Sequence, residues 1–392
     1  MRPLEGVTVV SVEQAVAAPF ATRQLADLGA RVIKIERPGE GDFARGYDTT
    51  VRGQSSYFIW LNRSKESLTL DLKRSEARGV FDRLLTRADV FVQNLAPGAS
   101  DRLGTRAADL RGRHPRLVVC EISGFGSSGP YANKKAYDLL VQAETGVVSL
   151  TGTADAPSKV GISIADIAAG MYAYSGILTA LLARDRSGAG SLVEVSLFDA
   201  LAEWMGAPAY YTAYGGAAPR RTGAHHASIA PYGPFRTRDG QEIFVAVQNA
   251  REWARFCTDV LGWPGLADDD RFRTNSRRVE NRAALHLTIE STLGTLSSDE
   301  LTGRLERASI AHARMNGVAD FLTHPQLAER DRWTDVGTPA GLVRTLLPPV
   351  QISGTTPSVG PVPSVGQHTD AILDEIGIDR DAVAAWRREG VI

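Results

Sequence analysis

The side chains able to do covalent chemistry are few and far apart. Asp166 stands in GISIADIAAGMY, where a helix is predicted to begin and the close neighbours are Gly, Ala, Ile and Ser. An aspartate there reads as a helix N-cap or as a reactive carboxylate. Both roles can coexist. A helix N-terminus keeps a carboxylate ionised, an ionised carboxylate can act as a nucleophile, and small neighbours leave room for a bulky partner. The loop Gly223–Tyr232, GAHHASIAPY, offers His225, His226 and Ser228. It reads as a binding loop or as a structural loop with one exposed histidine. Cys120, in LVVCEI, and Cys257, among aromatics in a helical pattern, read as two buried thiols. There is no zinc spacing and no disulfide framework, which fits a reducing compartment. No G-x-S-x-G elbow supports a serine hydrolase.

These residues need a scaffold, and the hydrophobic pattern supplies one. Val7–Val12, Arg31–Glu36, Ser67–Leu72, Val90–Gln93 and Arg116–Ile122 read as short strands. Helices are predicted over Ala17–Leu28, closed by Gly29, and from Ser75 to Arg87. A further strand, Ser191–Val195, precedes a helix at Leu197–Met205. Strands alternating with helices predict a mostly parallel sheet covered on both faces. Ligands of such sheets bind outside the carboxyl ends of the strands, which directs attention to Glu13–Pro19, Arg37–Arg45, Asn94–Arg102 and Ser123–Lys135. The first strand runs into EQAVAAP, without G-x-G-x-x-G, and no P-loop occurs, so dinucleotide redox chemistry is unsupported. Ala207–Ala230 reads as a linker or binding loop, and Ile229–Val247 as a hairpin turning at Asp239-Gly240. Helices then dominate to about Arg330, and a terminal helix is expected at Asp370–Gly377.

With 392 residues the chain is long enough for two domains. Its 44 basic and 45 acidic residues leave a net charge of -1, which argues against a nucleic-acid partner. The N-terminal MRPLEGVTVVSVEQ does not read as a signal peptide, since its apolar run is short and broken by Glu13. No run reaches the roughly eighteen uninterrupted apolar residues of a membrane span. Ile167–Ala183 comes nearest, but its Gly and Tyr residues suit a packed helix. A cytoplasmic location is expected.

Seven phrases, in order along nearly the whole chain, resemble the family III CoA-transferases. They are LADLGARVIKIERPGEGDFAR (Leu25–Arg45), NRSKESLTLDLK (Asn62–Lys73), QNLAPGASDRLG (Gln93–Gly104), ISGFGSSGPYANKKAYDLLVQAETG (Ile122–Gly146), Asp166 before AAGMYA, HASIAPYGPF (His226–Phe235) and VGQHTDAIL (Val365–Leu373). The resemblance implies an α/β fold with a large Rossmann-like domain and a smaller α+β domain, and two chains threaded as interlocked rings in a homodimer. The corresponding division is a large CoA-binding domain over 1–205, a linker and substrate loop over 206–228, a small domain over 229–330, and a C-terminal return to the large domain over 331–392.

The resemblance also assigns roles. Asp166 matches the family's nucleophilic aspartate, which carries the acyl group and then CoA. Arg37 matches an arginine set against the CoA nucleotide, where a guanidinium suits phosphate or adenine. Arg102 and Lys135 match positions for CoA phosphates. Leu70, Lys73, Asn94, Leu95 and Ala96 match loop walls around the adenosine, and Tyr137 lines the same pocket. CoA thioesters are expected as substrates, with no permanently bound cofactor and no metal. The related α-methylacyl-CoA racemases carry a His-Asp pair where this chain has Tyr137-Asp138. A racemase needs a second acid/base group, and tyrosine, with an ordinary pKa of about 10, suits that role poorly. Transfer is therefore expected over racemisation, with a non-catalytic CoA-binding protein as the alternative from another class. The consecutive glycines of formyl-CoA transferase are missing near His225, which argues against oxalate and formate specificity. Succinyl-CoA and a small dicarboxylate such as itaconate, mesaconate or malate are the expected pair, with His225, His226 and Ser228 as candidates for the acceptor's distal carboxylate.

Overall fold

Short β-branched runs build a sheet of six parallel strands: β1 (Thr8–Val12), β2 (Arg31–Glu36), β3 (Lys65–Thr69), β4 (Val90–Gln93), β5 (Val118–Ser123) and β6 (Leu192–Ser196). The order is β3-β2-β1-β4-β5-β6. The strand order reverses between β1 and β4, so the loops leaving those two strands open the crevice where doubly wound sheets hold ligands. The computed structural model describes residues 2–392.

The chain forms two units. One comprises Met1–Thr145, Val160–Gly206 and Leu327–Ile392 and contains the six-stranded sheet. Its core runs from Val10, Ile33, Leu68, Phe91 and Val119 of the strands to Phe81 and Leu85 of the helix Ser75–Arg87. Phe81 meets Phe91 edge to face at 5.3 Å. The last residues are part of this core. Ile372, Leu373, Ile376, Val391 and Ile392 pack into it, the Asp71 N–H donates to the Val391 carbonyl at 2.8 Å, and the Thr69 N–H donates to Thr369 Oγ1 at 3.0 Å.

The other unit, Gly146–Lys159 and Ala207–Gln326, has its own core. Three antiparallel strands, β7 (Tyr232–Arg236), β8 (Glu242–Ala246) and β9 (Ala311–Arg314), carry Phe235, Ile243 and Val245 against Leu285 and Ile289 of the helix Arg282–Leu293. Between β7 and β8 lies the Asp239-Gly240 turn, with Gly240 at φ +79°, a value glycine reaches without strain. Asp239 braces it by accepting from Thr237 Oγ1 at 2.6 Å.

Five elements differ from the sequence reading. β3 starts earlier than Ser67 and ends at Thr69. It pairs with β2 from Val32↔Lys65 to Glu36↔Thr69 and stops where its partner stops. Lys65 and Ser67 point inward to buried charge, which defeats a reading based on apolar alternation. The segment Ala207–Ala230 is not all loop: Gly206–Gly215 is a helix, yet none of its residues is buried. β10 (Trp333–Thr338) and β11 (Gly341–Leu346) form an unpredicted hairpin. The chain ends in a further helix, Arg380–Arg388, capped by Asp379, after the expected one at Thr369–Glu375.

Leu373 is fully buried in the sheet's core. Leu373→Ala is expected to cost about 2–5 kcal/mol, read as a lower urea midpoint at unchanged m-value.

Candidate active site

The carboxyl ends of β1 and β2 rest on a network of buried charges, which Lys65 joins from the start of β3. Glu13 leaves β1 and accepts from Lys65 Nζ at 2.7 Å and Thr22 Oγ1 at 2.6 Å. Lys34, in β2, donates to Asp42 Oδ2 at 2.6 Å and lies 3.5 Å from Glu13. Glu36, at the end of β2, takes a two-pronged grip from Arg45 at 2.9 and 2.8 Å. Burial disfavours ionisation of Glu36, but Arg45, Lys34 and Ser67 outweigh it and bring its carboxyl down to about 2. Burial pulls the Lys65 ammonium down to about 8 against the opposing pull of Glu13. Asn94 joins the loops at the switch point: its Oδ1 accepts from Gln14 N–H at 2.9 Å and its Nδ2 donates to the Gln14 carbonyl at 2.8 Å.

Asp166 lies in the first turn of the helix Ile164–Ser187, half-buried. It is not the N-cap. That position is Ser163, whose side chain makes no capping bond. The cap comes from elsewhere: Asp138 Oδ1 accepts from the N–H groups of Ala165 at 2.7 Å and Asp166 at 3.3 Å. Asp138 Oδ2 is held by Gln142 Nε2 at 2.6 Å, and Gln142 Oε1 accepts from Val160 N–H at 2.9 Å. This reverses the sequence expectation about charge. Burial, and then the Asp138 carboxylate, push the Asp166 carboxyl up to about 7. Burial is the larger cause, and the second carboxylate on the helix's first N–H groups adds to it.

Small residues set the packing here. A Cβ at Gly170, one turn beyond Asp166, would lie 2.7 Å from the Ala17 carbonyl and 3.0 Å from the Phe20 ring, so the first helix, Ala17–Asp27, approaches closely. Tyr47 is raised to about 12 by burial and then by the fields of Asp42, Asp166 and Tyr137. Its ring begins an aromatic chain through Tyr57 (5.6 Å) and Trp60 (6.5 Å) to Phe20 (5.6 Å). The arrangement gives a weakly acidic carboxyl, reachable from solvent, beside an aromatic wall. Above pH 7 such a group attacks an electrophilic carbonyl or takes a proton.

The predicted cofactor residues all lie in the sheet-bearing unit. Arg37, Lys73, Ala96, Arg102 and Lys135 are exposed, on or beside the loops that follow β2, β3, β4 and β5. Tyr137 is 66 % exposed, at the start of the helix Asp138–Glu144. Leu70 is buried in the core, so only its backbone could line a pocket. Leu95 packs partly against the same core, and the Asn94 side chain is engaged with Gln14. His225, His226 and Ser228 lie in the other unit. The His225 ring faces His286 at 4.4 Å and Phe235 at 6.0 Å. Burial, His225 and Arg282 push His286 down to about 4. His226 stacks on Tyr232 at 5.2 Å and accepts from Ser228 N–H at 3.2 Å. Arg282 donates to the carbonyls of His226 at 2.7 Å and Ala227 at 3.0 Å, which fixes the loop. Among the described residues, no three His, Cys, Asp or Glu side chains gather as a metal site. Sequence reasoning missed Asp42, Tyr47 and Gln142, whose roles come from contacts across the fold. It noticed Asp138 only as the partner of a missing histidine.

The chain matches CoA-transferase family III over residues 4–369. It is 36 % identical to the acetyl-CoA:oxalate CoA-transferase of Acetobacter aceti, over 90 % of each chain. It is 33 % identical to the succinyl-CoA:glutarate CoA-transferase of Mus musculus, over 100 % of this chain and 91 % of that one. A crystal structure of a CAIB/BAIF family protein from Brucella suis superposes with a TM-score of 0.83 at 35 % identity, covering 96 % of this chain and 99 % of that one.

The raised Asp166 carboxyl carries two consequences. The folded state holds its proton up to about 7, whereas an unfolded aspartate releases it at about 3.9, so ionisation here lowers stability as pH rises through that window. Asp138→Asn removes the neighbouring charge at constant shape. The acid limb of the pH–rate profile is expected near pH 7 in the parent chain and at lower pH in this variant.

Proposed function

This chain belongs to CoA-transferase family III, and we propose that it moves CoA from succinyl-CoA to a small dicarboxylate through covalent intermediates on Asp166. The observation that carries the reading is a half-buried carboxylate of raised basicity at a helix start, beside the loops of a doubly wound sheet. A carboxylate attacks a thioester better as its basicity rises, and small neighbours admit the acyl group.

In this scheme Asp166 Oδ attacks the thioester carbonyl. The C–S bond breaks, CoA leaves as thiolate, and a mixed anhydride forms. The thiolate attacks the Asp166 carbonyl carbon of that anhydride, releasing the donor acid and leaving CoA as a thioester on Asp166. The acceptor carboxylate displaces the thiolate from that thioester and forms a second anhydride. The thiolate then takes the acceptor acyl group, and Asp166 is free again. No net proton is gained or lost. The strand-end residues Arg37, Lys73, Asn94, Leu95, Ala96, Arg102, Lys135 and Tyr137, with the Leu70 backbone, are assigned to CoA.

The acceptor class is supported by the relatives' names, which specify glutarate, mesaconate, D-citramalate and oxalate. Itaconate, mesaconate and malate remain the candidates from the loop sequence, with His225, His226 and Ser228 as the residues proposed for the distal carboxylate. The oxalate-using relative makes oxalate a further acid to test. Racemisation is disfavoured because Tyr137 stands where the second acid/base group would be needed.

The working form is proposed to be a homodimer of interlocked chains. Two features support this. The helix Gly206–Gly215 buries none of its residues, and its Tyr210, Tyr211 and Tyr214 are 69, 54 and 85 % exposed. The edge strand β6 opens onto a cavity of about 730 Å³ lined by Tyr172, Gly176, Val193, Val195 and Ala200. Soluble monomers rarely leave such apolar surface open.

Two experiments check the reading. Incubation with succinyl-CoA and each acid in turn, followed by mass spectrometry of the thioesters, is expected to yield a new acyl-CoA with at least one of them. Asp166→Ala should lower turnover about a thousandfold or more and abolish the CoA adduct on the peptide containing residue 166. Full activity in that variant excludes the covalent scheme.

A further inference from the structure

We infer that Asp42 is a positioning residue of the active site, holding the strained turn Gln14–Val16 and the base of Tyr47 in their working places. The inference rests on Asp166 as the acyl-carrying carboxylate, but it concerns what sets the pocket's walls.

Ala15 has φ +62°, in the left-handed region that a side chain with a Cβ enters at a cost. A strained residue persists only where its surroundings over-determine it. Here the constraint is visible. The Ala15 N–H donates to Asp42 Oδ1 at 3.1 Å. The preceding residue, Gln14, is clamped at both its N–H and its carbonyl by Asn94. The turn is therefore pinned from both sides of the switch point, by β2's exit loop through Asp42 and by β4's exit through Asn94.

Asp42 also fixes a second wall. Its Oδ1 accepts from Ala44 N–H at 2.9 Å and caps the short helix Phe43–Gly46, and the next residue is Tyr47. Burial and then the charges of Asp42 and Asp166 both act on Tyr47. On the turn's other side, the Ala17 carbonyl lies against Gly170, one helical turn from Asp166. One carboxylate thus ties together the two segments that approach Asp166 from the sheet. Asp42 is itself immovable. It is 2 % exposed, its Oδ2 is held by Lys34, and its N–H donates to Glu36 Oε1 at 2.9 Å.

The strain supplies a test that a purely structural role would fail. Asp42→Asn keeps the shape but draws its one oxygen toward Lys34, leaving the Ala15 and Ala44 N–H groups without an acceptor. kcat is expected to fall about tenfold, with KM for succinyl-CoA changed less than twofold. Glycine tolerates the left-handed conformation unaided, so adding Ala15→Gly to Asp42→Asn should restore the share of the loss that comes from the turn, a measurable rise in kcat over Asp42→Asn alone. Asn94→Ala removes the second clamp without touching the buried ion pair, and covers the case in which Asp42→Asn fails to fold. It should lower kcat through the turn alone, and Ala15→Gly should recover most of that loss. Unchanged kcat in both single variants, or no recovery from glycine in either background, overturns the inference. Failure of the covalent scheme appears separately, as activity in Asp166→Ala.

Discussion

The structure depends on charges kept out of water beneath the carboxyl ends of β1 and β2 and against the first residue of β3. Glu13, Lys34, Lys65 and Asp42 are each buried, and each has an opposite charge within reach. Removing one partner of such a set leaves an unpaired buried charge, at a cost of about 3–5 kcal/mol. The network also joins segments far apart in sequence: the exits of β1 and β2, the inward face of β3, and the loop that bears Tyr47. A sheet exit is ordinarily the most variable part of an α/β fold. Here the exits are locked by electrostatics, so the crevice is shaped before a ligand arrives.

Much of the sheet was legible because local pattern and long-range pairing agree. β2 (Arg31–Glu36), β4 (Val90–Gln93) and the helix Ser75–Arg87 fall where β-branched runs and helical periodicity put them. The misreadings share a cause: the deciding partner is remote. β3 carries Lys65 and Ser67 inward because Glu13 and Glu36 wait for them. The helix Gly206–Gly215 has glycines at both ends and no buried face, so neither composition nor amphipathicity marks it.

The site divides in the same way. Asp166 could be picked out from its setting of small residues at a helix start and from its match to a family motif. Its protonation could not, since the opposing carboxylate is 28 residues away in sequence and meets it only through the fold. A free helix N-terminus favours an anion, whereas one already capped by an aspartate offers a second anion repulsion. In the proposed scheme a carboxylate that attacks carbonyl carbon gains from this setting: it is more basic than an exposed aspartate and still ionised at mildly alkaline pH.

The C-terminal segment has a consequence for synthesis. The sheet's core includes residues from Val10 to Ile392, whereas the other unit is complete by Gln326. A chain emerging from the ribosome at about 5–20 residues per second therefore presents its first domain first and finishes it last. The second unit can close while the parallel sheet still lacks Ile372, Leu373 and Val391. During that interval the apolar surface awaiting these residues is open, and it is the stretch of this protein's life in which a chaperone would have most to hold.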